Sequence, residues 1–219
     1  MKKLFVLLVA LASVALCAQE VSYQVFTGPD IQDHIPFIAL QRITAFKEFP
    51  YLYFGNYEYE KNYLKTFGND AHDAVAIAFC GGKPVGLLTG MALVNFESTM
   101  PGTVAGFTEV QLDPSLFYYF GEVIVLPEFQ NKGIGKQLFN ALEAHAHTVG
   151  YELFSFMTVI RSDDHPQRPS NYFSPDYIWN QLGYYKTSIV VPLDWPTILP
   201  NGLHQDMIHD VVFWIKELK

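Results

Sequence analysis

The chain has 219 residues, enough to bury roughly 68–75% of the surface its unfolded form exposes without disulfide staples. Half of its residues are hydrophobic and only 16% are charged, with 18 Phe, 13 Tyr and 3 Trp, a composition that excludes intrinsic disorder. Its 22 acidic and 14 basic residues leave a net charge of −8, so the bulk charge offers no footprint for nucleic acid; a basic partner or a locally focused anion site stays open.

In chain order, Met1-Lys2-Lys3 precedes an uncharged run from Leu4 to Cys17, the positive start and short apolar stretch of a secretory signal peptide. The run is shorter than the ~20 residues of a spanning helix, and no later apolar run reaches that length. Small residues place the cut behind Cys17 or Ala18. Residues 1–18 are therefore expected to be a signal peptide, and the protein to be exported, periplasmic or secreted; if the signal reading is wrong, it is cytoplasmic. A lipoprotein signal is the weaker reading, because bulky Leu16 stands directly before Cys17. Only Cys80 is then certain to remain, which speaks against an intramolecular disulfide framework.

No repeat, low-complexity tract or linker divides residues 20–219, which read as a single domain. Val21 to Phe26 forms a short strand. Asp30 is a plausible cap for a helix carrying Ile31, Ile35, Ile38 and Arg42 at helical spacing and ending near Phe49-Pro50. Asn56 caps a second helix in which Tyr59, Tyr63 and Phe67 recur every four residues. Ala74–Phe79 and Pro84–Val94, joined at Gly81-Gly82, read as a β-hairpin. Leu116 to Leu126 is a longer strand ended by Pro127. It leads through Gly133-Ile134-Gly135 into a helix with Ile134, Leu138, Ala141, Leu142 and Val149 on its inner face. A strand from Leu153 to Ile160, a polar loop, a short helix from Pro175 to Leu182, and strands Tyr184–Val191 and Ile208–Ile215 complete a mixed α/β layer architecture.

The chemistry concentrates at the strand-to-helix turn. A helix N-terminus behind a glycine-containing turn offers unpaired N–H groups and a positive dipole end to an anion. In Gln130-Asn131-Lys132-Gly133-Ile134-Gly135-Lys136 the glycines let the backbone approach phosphate oxygens, and the lysines add charge. The spacing matches neither Walker A nor the dinucleotide fingerprint, since Leu138 follows Gly133-x-Gly135 where a third glycine belongs.

Val125-Leu126-Pro127 followed by Gln130-Asn131-Lys132-Gly133-Ile134-Gly135 resembles the acetyl-CoA motif, (Gln/Arg)-x-x-Gly-x-(Gly/Ala), of the GNAT N-acetyltransferases. A second element, Tyr177-Ile178-Trp179-Asn180-Gln181-Leu182-Gly183-Tyr184, is similar to the family's Leu-Gly-Phe/Tyr signature, and the stretch from Asp164 to Tyr184 resembles bacterial members. The resemblance is strong over Gly121 to Val191 and elsewhere rests on element order. It implies a central, mostly antiparallel sheet with helices on both faces and a splayed strand pair. It also implies transfer of an acetyl group from acetyl-CoA to a primary amine of a small molecule or protein, with no metal.

By that resemblance Val123 and Val125 contact the cosubstrate through their backbone, beside the Gln130–Lys136 cradle. An amine acceptor needs a proton acceptor, and the leaving thiolate an acid. Glu122 is the only carboxylate in its strand and stands where the family often has an acid; the bland alternative is a pair with Arg161 or Arg168. The family's usual acid is a tyrosine, where this chain has Trp179, whose N–H lacks useful acidity. Tyr172, Tyr177 and Tyr184 are the alternatives in that order, with Tyr184 better read as core. Arg168, in the polar loop, and Trp179 are expected at the acceptor. Phe46 to Phe67 holds nine aromatics that form either core or a wall for an apolar or cationic acceptor. The Trp179 departure also keeps open an exported acyl-CoA-binding or protein-interaction module on the same scaffold. The acceptor's identity and the oligomeric state are not legible.

Overall fold

A computed structural model describes residues 20–98 and 100–218. The expected signal peptide lies outside the described residues. The order is β1 (Val21–Thr27), α1 (Ile35–Phe46), α2 (Tyr57–Tyr63), β2 (Ala74–Cys80), β3 (Lys83–Ala92), α3 (Leu93–Phe96), α4 (Thr103–Glu109), β4 (Phe117–Val125), α5 (Ile134–Thr148), β5 (Leu153–Val159), α6 (Asp176–Gln181), β6 (Tyr185–Ile198) and β7 (His204–Glu217). The strands form one seven-stranded sheet ordered β1-β2-β3-β4-β5-β7-β6. Every neighbouring pair is antiparallel except β4 with β5. The expected mixed α/β architecture is thus the observed one.

The β2–β3 hairpin follows from its turn. Gly81 and Gly82 have φ of 59° and 75°, the left-handed values that a two-residue hairpin turn demands at both central positions. Alternating β2 side chains then feed two cores. Ala74, Ala76 and Ala78 pack under Leu138, Phe139 and Leu142 of α5, whereas Val75 and Ile77 pack against Ile35 and Ile38 of α1. Small residues on one face let α5 sit close to the sheet, and this fixes where its N-terminus points. A third core joins Phe96 and Phe107 to Val211 and Phe213 of β7.

Several expectations need correction. Phe139 and Ala146, rather than half-exposed Val149, complete the buried face of α5. Asn56 does cap α2, accepting from the Tyr59 N–H at 3.0 Å. Its inner face, however, is Glu60 and, beyond it, Leu64 and Phe67, because Tyr59 and Tyr63 lie on the surface. α1 begins at Ile35 behind a 3₁₀ turn that contains Asp30, which caps nothing. α3 and α4 were not foreseen. β6 and β7 are 14 residues each, not eight, because β6 runs through Pro192 and Pro196. A sheet-edge strand tolerates proline, since one row of its N–H groups has no partner strand to bond. Cys80 is buried at the end of β2.

Candidate functional site

β4 and β5 pair only over Phe117–Leu153, Tyr118–Phe154 and Tyr119–Ser155, although β4 runs on to Val125 and β5 to Val159. Beyond Tyr119 the two strands diverge and leave a groove of about 560 Å³ between them. The Leu126 N–H bonds to the Val85 carbonyl of β3 at 2.9 Å. Strand alternation then turns the backbone polar groups of Val125, Val123 and Gly121 away from β3, toward the groove. This is the placement expected of Val123 and Val125.

At the end of β4, Asn131 and Gly133 have φ of 60° and 78°, and no side chain caps α5. The first bond into the helix is Gln137 N–H to Gly133 O at 3.2 Å; among the described residues the N–H groups of 131–136 have no hydrogen-bond partner. A β-carbon added at Gly133 or Gly135 would meet nothing within 4 Å. The cradle is therefore open, with unpaired donors and the positive end of a 15-residue helix, as a phosphate requires. Its side chains contribute unequally. Gln130 Nε2 folds back onto the Val125 carbonyl at 3.0 Å, and Lys132 Nζ onto the Glu128 carbonyl at 2.8 Å. Ile134 is buried and offers only backbone, while Lys136 is exposed.

Glu122, Arg168, Tyr172 and Trp179 all line the groove. Trp179 packs against Phe156 and Phe139, ring centroids 5.0 and 6.0 Å away, and its buried indole N–H has no partner among the described residues. Tyr172 stands edge-on to Phe49 at 4.7 Å with the Arg168 guanidinium 5.0 Å above its ring. Arg168 also pairs with Asp163 at 3.2 Å, and it borders the groove but not the larger cavity described below. Tyr177 is not brought to the site: it is 60% exposed and borders neither the groove nor that cavity. Tyr184 is core, donating to Glu143, which also holds Lys216.

A larger cavity of about 1030 Å³ opens on the other side of Glu122, and both cavities share Phe46, Tyr51, Gly121, Glu122, Met157 and Val159. Seven of the nine aromatics between Phe46 and Phe67 border it, so that stretch is a cavity wall as well as core. Glu122 pairs with Arg42 of α1, neither with Arg161 nor with Arg168. Thr89 Oγ1 donates to its other oxygen at 2.5 Å and accepts from its backbone N–H at 3.0 Å. Gly121 makes this possible, since a β-carbon there would lie 2.5 Å from Thr89 Oγ1. Arg42 also binds Glu60 at 2.6 Å, and Glu60, fully buried, accepts from the Tyr53 hydroxyl at 2.6 Å. Two carboxylates around one guanidinium leave one negative charge in excess. Glu60, fully buried, borders only the larger cavity; Glu122, with 12% of its side chain exposed, borders both.

Sequence reasoning missed Arg42, Glu60, Thr89 and the hydroxyls of Tyr51 and Tyr119. One signal existed: Arg42 continues the Ile31, Ile35, Ile38 stripe, and a charge on a buried stripe requires a partner. Burial pushes the Tyr51 phenol up to about 12, with Tyr172 adding to the shift and Arg161 opposing it. Burial likewise raises Tyr172, against Arg168. Both are protonated donors at neutral pH.

The cavity roof is the end of the β6–β7 arm. Phe54 N–H bonds to Pro196 O and Ile198 N–H to Leu52 O, both at 2.7 Å, and Trp195 Nε1 to Tyr51 O at 3.0 Å. Arg161 donates to Pro50 O at 2.7 Å and meets His209 Nδ1 at 2.7 Å. A guanidinium only donates, so Nδ1 accepts and His209 is a neutral ring whose Nε2–H faces Thr197 Oγ1 at 2.7 Å. Burial first, then Arg161 and His165, lower its pKa from 6.5 to about 4. The folded state thus binds fewer protons than the unfolded chain below pH 6.5. Stability is expected to fall as pH drops from about 6.5 to about 4. Urea midpoints across that range check this: His209→Gln, which keeps an acceptor and a donor, should show a shallower decline than the parent.

With this geometry established, comparison with known proteins places the chain. Three solved structures share its fold. The ribosomal-protein-alanine N-acetyltransferase of Brucella melitensis is 14% identical with a TM-score of 0.57, covering 89% of this chain and 99% of its own. An N-acetyltransferase from Staphylococcus aureus Mu50 is 12% identical with a TM-score of 0.55, over 90% and 99%. The aminoglycoside N-acetyltransferase AAC(6')-Iy, in complex with CoA, is 16% identical with a TM-score of 0.53, over 79% and 93%. A comparison with curated proteins finds no match. The sequence profile of the acetyltransferase (GNAT) family matches residues 40–169, more than half of the chain and the whole of the β4 turn and α5 cradle, and on that match the chain belongs to the GNAT acetyltransferase family.

Proposed function

We propose that the protein transfers the acetyl group of acetyl-CoA to a primary amine at the junction of the two cavities. The observation that carries this reading is the convergence of three features: the unpaired cradle at Gly133, the groove left by the splayed strands, and the Glu122 carboxylate where that groove meets the larger cavity. Acetyl-CoA supplies the thioester carbonyl that the amine attacks. The backbone N–H groups of 131–136 bind the pyrophosphate, and the groove-facing backbone of Val123 and Val125 aligns the pantetheine arm.

Glu122 accepts the proton that the ammonium must lose before its nitrogen can attack. It can do so without orphaning Arg42, because Glu60 keeps that guanidinium paired. The departing sulfur needs a proton, and the Trp179 N–H is not a source of one. Tyr172 and Tyr51, both on the groove, are the phenols that supply one. Overall a C–N bond forms and the C–S bond breaks; of two protons lost from the ammonium, one ends on the thiol and one in solvent.

The testing experiment follows free thiol release from acetyl-CoA over an amine panel, with a thermal shift by acetyl-CoA alone. Thiol release matched by N-acetyl product supports the enzyme. Tight binding without turnover on any amine favours the binding-module reading, and no binding at millimolar acetyl-CoA removes both.

Export is also part of the proposal. The Lys2-Lys3 start and apolar Leu4–Cys17 run support it. Among the described residues no helix is long and apolar enough to cross a membrane. Fractionation with intact mass before and after reduction checks this and reads whether Cys17, the chain's other cysteine, is kept. Full-length protein confined to the cytoplasm with a reduced Cys80 overturns it.

A further inference from the structure

Three tyrosines are fully buried among the described residues, and they differ in one respect. Tyr118 donates to the His72 carbonyl at 2.7 Å, and Tyr184 donates to Glu143 at 2.7 Å. Tyr119, 1% exposed, has no hydrogen-bond partner for its hydroxyl among the described residues. A buried hydroxyl without a partner costs stability, and phenylalanine would pack the same ring without that cost. Tyr119 is also the one of the three that borders the larger cavity, and it does not border the groove.

The strand fixes where this side chain stands. Leu88 pairs with Val123 and Gly90 with Phe120, so β4 carries one extra residue at Gly121-Glu122. Across that bulge Tyr119 and Glu122 both meet the larger cavity, whereas Tyr118 and Phe120 pack under α5. The β-carbon that Gly121 lacks would lie 2.5 Å from Thr89 Oγ1 and 4.0 Å from Tyr119 Cε1. The edge of the Tyr119 ring thus stands beside the hydroxyl that holds Glu122. Packing immobilises the ring, which stacks on Phe96 at 4.2 Å and lies 6.2 Å from Phe213.

An attacking amine needs such a group. When its proton passes to Glu122 and its lone pair turns to the thioester, the remaining N–H groups still require acceptors inside the cavity. A neutral phenol oxygen can accept an N–H without competing for the proton. Burial first, then Tyr63 and Tyr51, hold the Tyr119 hydroxyl well above the usual phenol range, against Arg42, and it stays protonated. Ser155, the register partner of Tyr119 on β5, supplies a contrast: its buried Oγ also lacks a partner among the described residues, yet it borders neither cavity.

Resting on the acetyl-transfer reading above, we infer that the Tyr119 hydroxyl binds the acceptor amine, accepting one of its N–H groups and turning its lone pair toward the thioester while Glu122 takes the proton. The test compares the full chain with Tyr119→Phe and with Ser155→Ala. It measures kcat/KM for 1-aminobutane, benzylamine and a lysine peptide, the ligand-free melting temperature, and the thermal shift caused by acetyl-CoA. Tyr119→Phe should lower kcat/KM by about tenfold on every amine the parent uses, the scale of one hydrogen bond lost at a charged or reacting nitrogen. Its ligand-free melting temperature should not fall, because no bond within the protein is lost. The acetyl-CoA shift should match that of the parent, since Tyr119 lies off the groove. Ser155→Ala should leave kcat/KM unchanged. An unchanged kcat/KM in Tyr119→Phe overturns the inference, and so does a lowered ligand-free melting temperature, which would make the hydroxyl structural. A loss confined to the peptide, or an equal loss in Ser155→Ala, overturns it too, and in all these cases acetyl transfer stands. A parent that shows no acetyl-CoA shift, or releases no thiol on any amine, overturns the acetyl-transfer reading and this inference with it.

Discussion

Gly135→Glu is expected to abolish acetyl-CoA binding while leaving the fold intact. The position needs no positive φ, and an added β-carbon meets no atom within 4 Å, so the substitution costs the native state little. A glutamate in the first turn of α5 even complements the helix dipole. The same charge stands where a phosphate must approach. In the parent, ligand at a hundredfold excess over Kd should stabilise the protein by about 2.7 kcal/mol, visible as a rise in melting temperature. The variant should keep the parent's ligand-free melting temperature and show no rise. Gly133→Glu should lose binding too, but with a lower melting temperature, because Gly133 has φ of 78°. The contrast between the two glycines separates electrostatic exclusion from backbone strain. An undiminished shift in Gly135→Glu would show that the phosphates lie elsewhere.

Glu122→Gln carries the second large effect. The amide keeps the volume and can still accept from Thr89 Oγ1, while Arg42 retains Glu60, so neither folding nor acetyl-CoA affinity should change much. Turnover should fall by ~10²–10⁴, the usual contribution of a positioned base, and recover in part at high pH, where free amine is abundant. Arg42→Lys offers a comparison: a lysine cannot span two carboxylates with a planar fork, so both kcat and stability should suffer. Unchanged turnover in Glu122→Gln removes this carboxylate from the chemistry and leaves it as an anchor for Arg42.

The parts of the molecule that were legible in the sequence are those set by local chemistry. The cradle is encoded within seven residues, because glycines and a helix start are sufficient to expose a row of N–H groups. The Gly81-Gly82 hairpin and the Asn56 cap are legible for the same reason. What escaped depends on distant partners. Nothing near Glu122 announces Arg42, which lies 80 positions earlier and reaches it only because α1 packs across the sheet. Glu60 was hidden by the aromatic periodicity around it, which suggested the wrong inner face for α2. The roof was hidden by its own composition: two prolines interrupt β6 and polar residues open β7, yet an edge strand accepts both. Tyr177 and Tyr172 could not be separated by type or spacing. The fold separates them, turning Tyr172 onto Phe49 beside the groove and Tyr177 outward.

The most direct test of acetyl transfer at this junction is a single-turnover reaction, with enzyme in excess over acetyl-CoA and an amine panel present, quenched and read by mass spectrometry. The geometry predicts N-acetylated amine and free CoA in equal amounts, formed quickly by the parent and about 10²–10⁴ more slowly by Glu122→Gln. Free CoA accumulating with no acetylated amine, at the same rate in parent and variant, would contradict it.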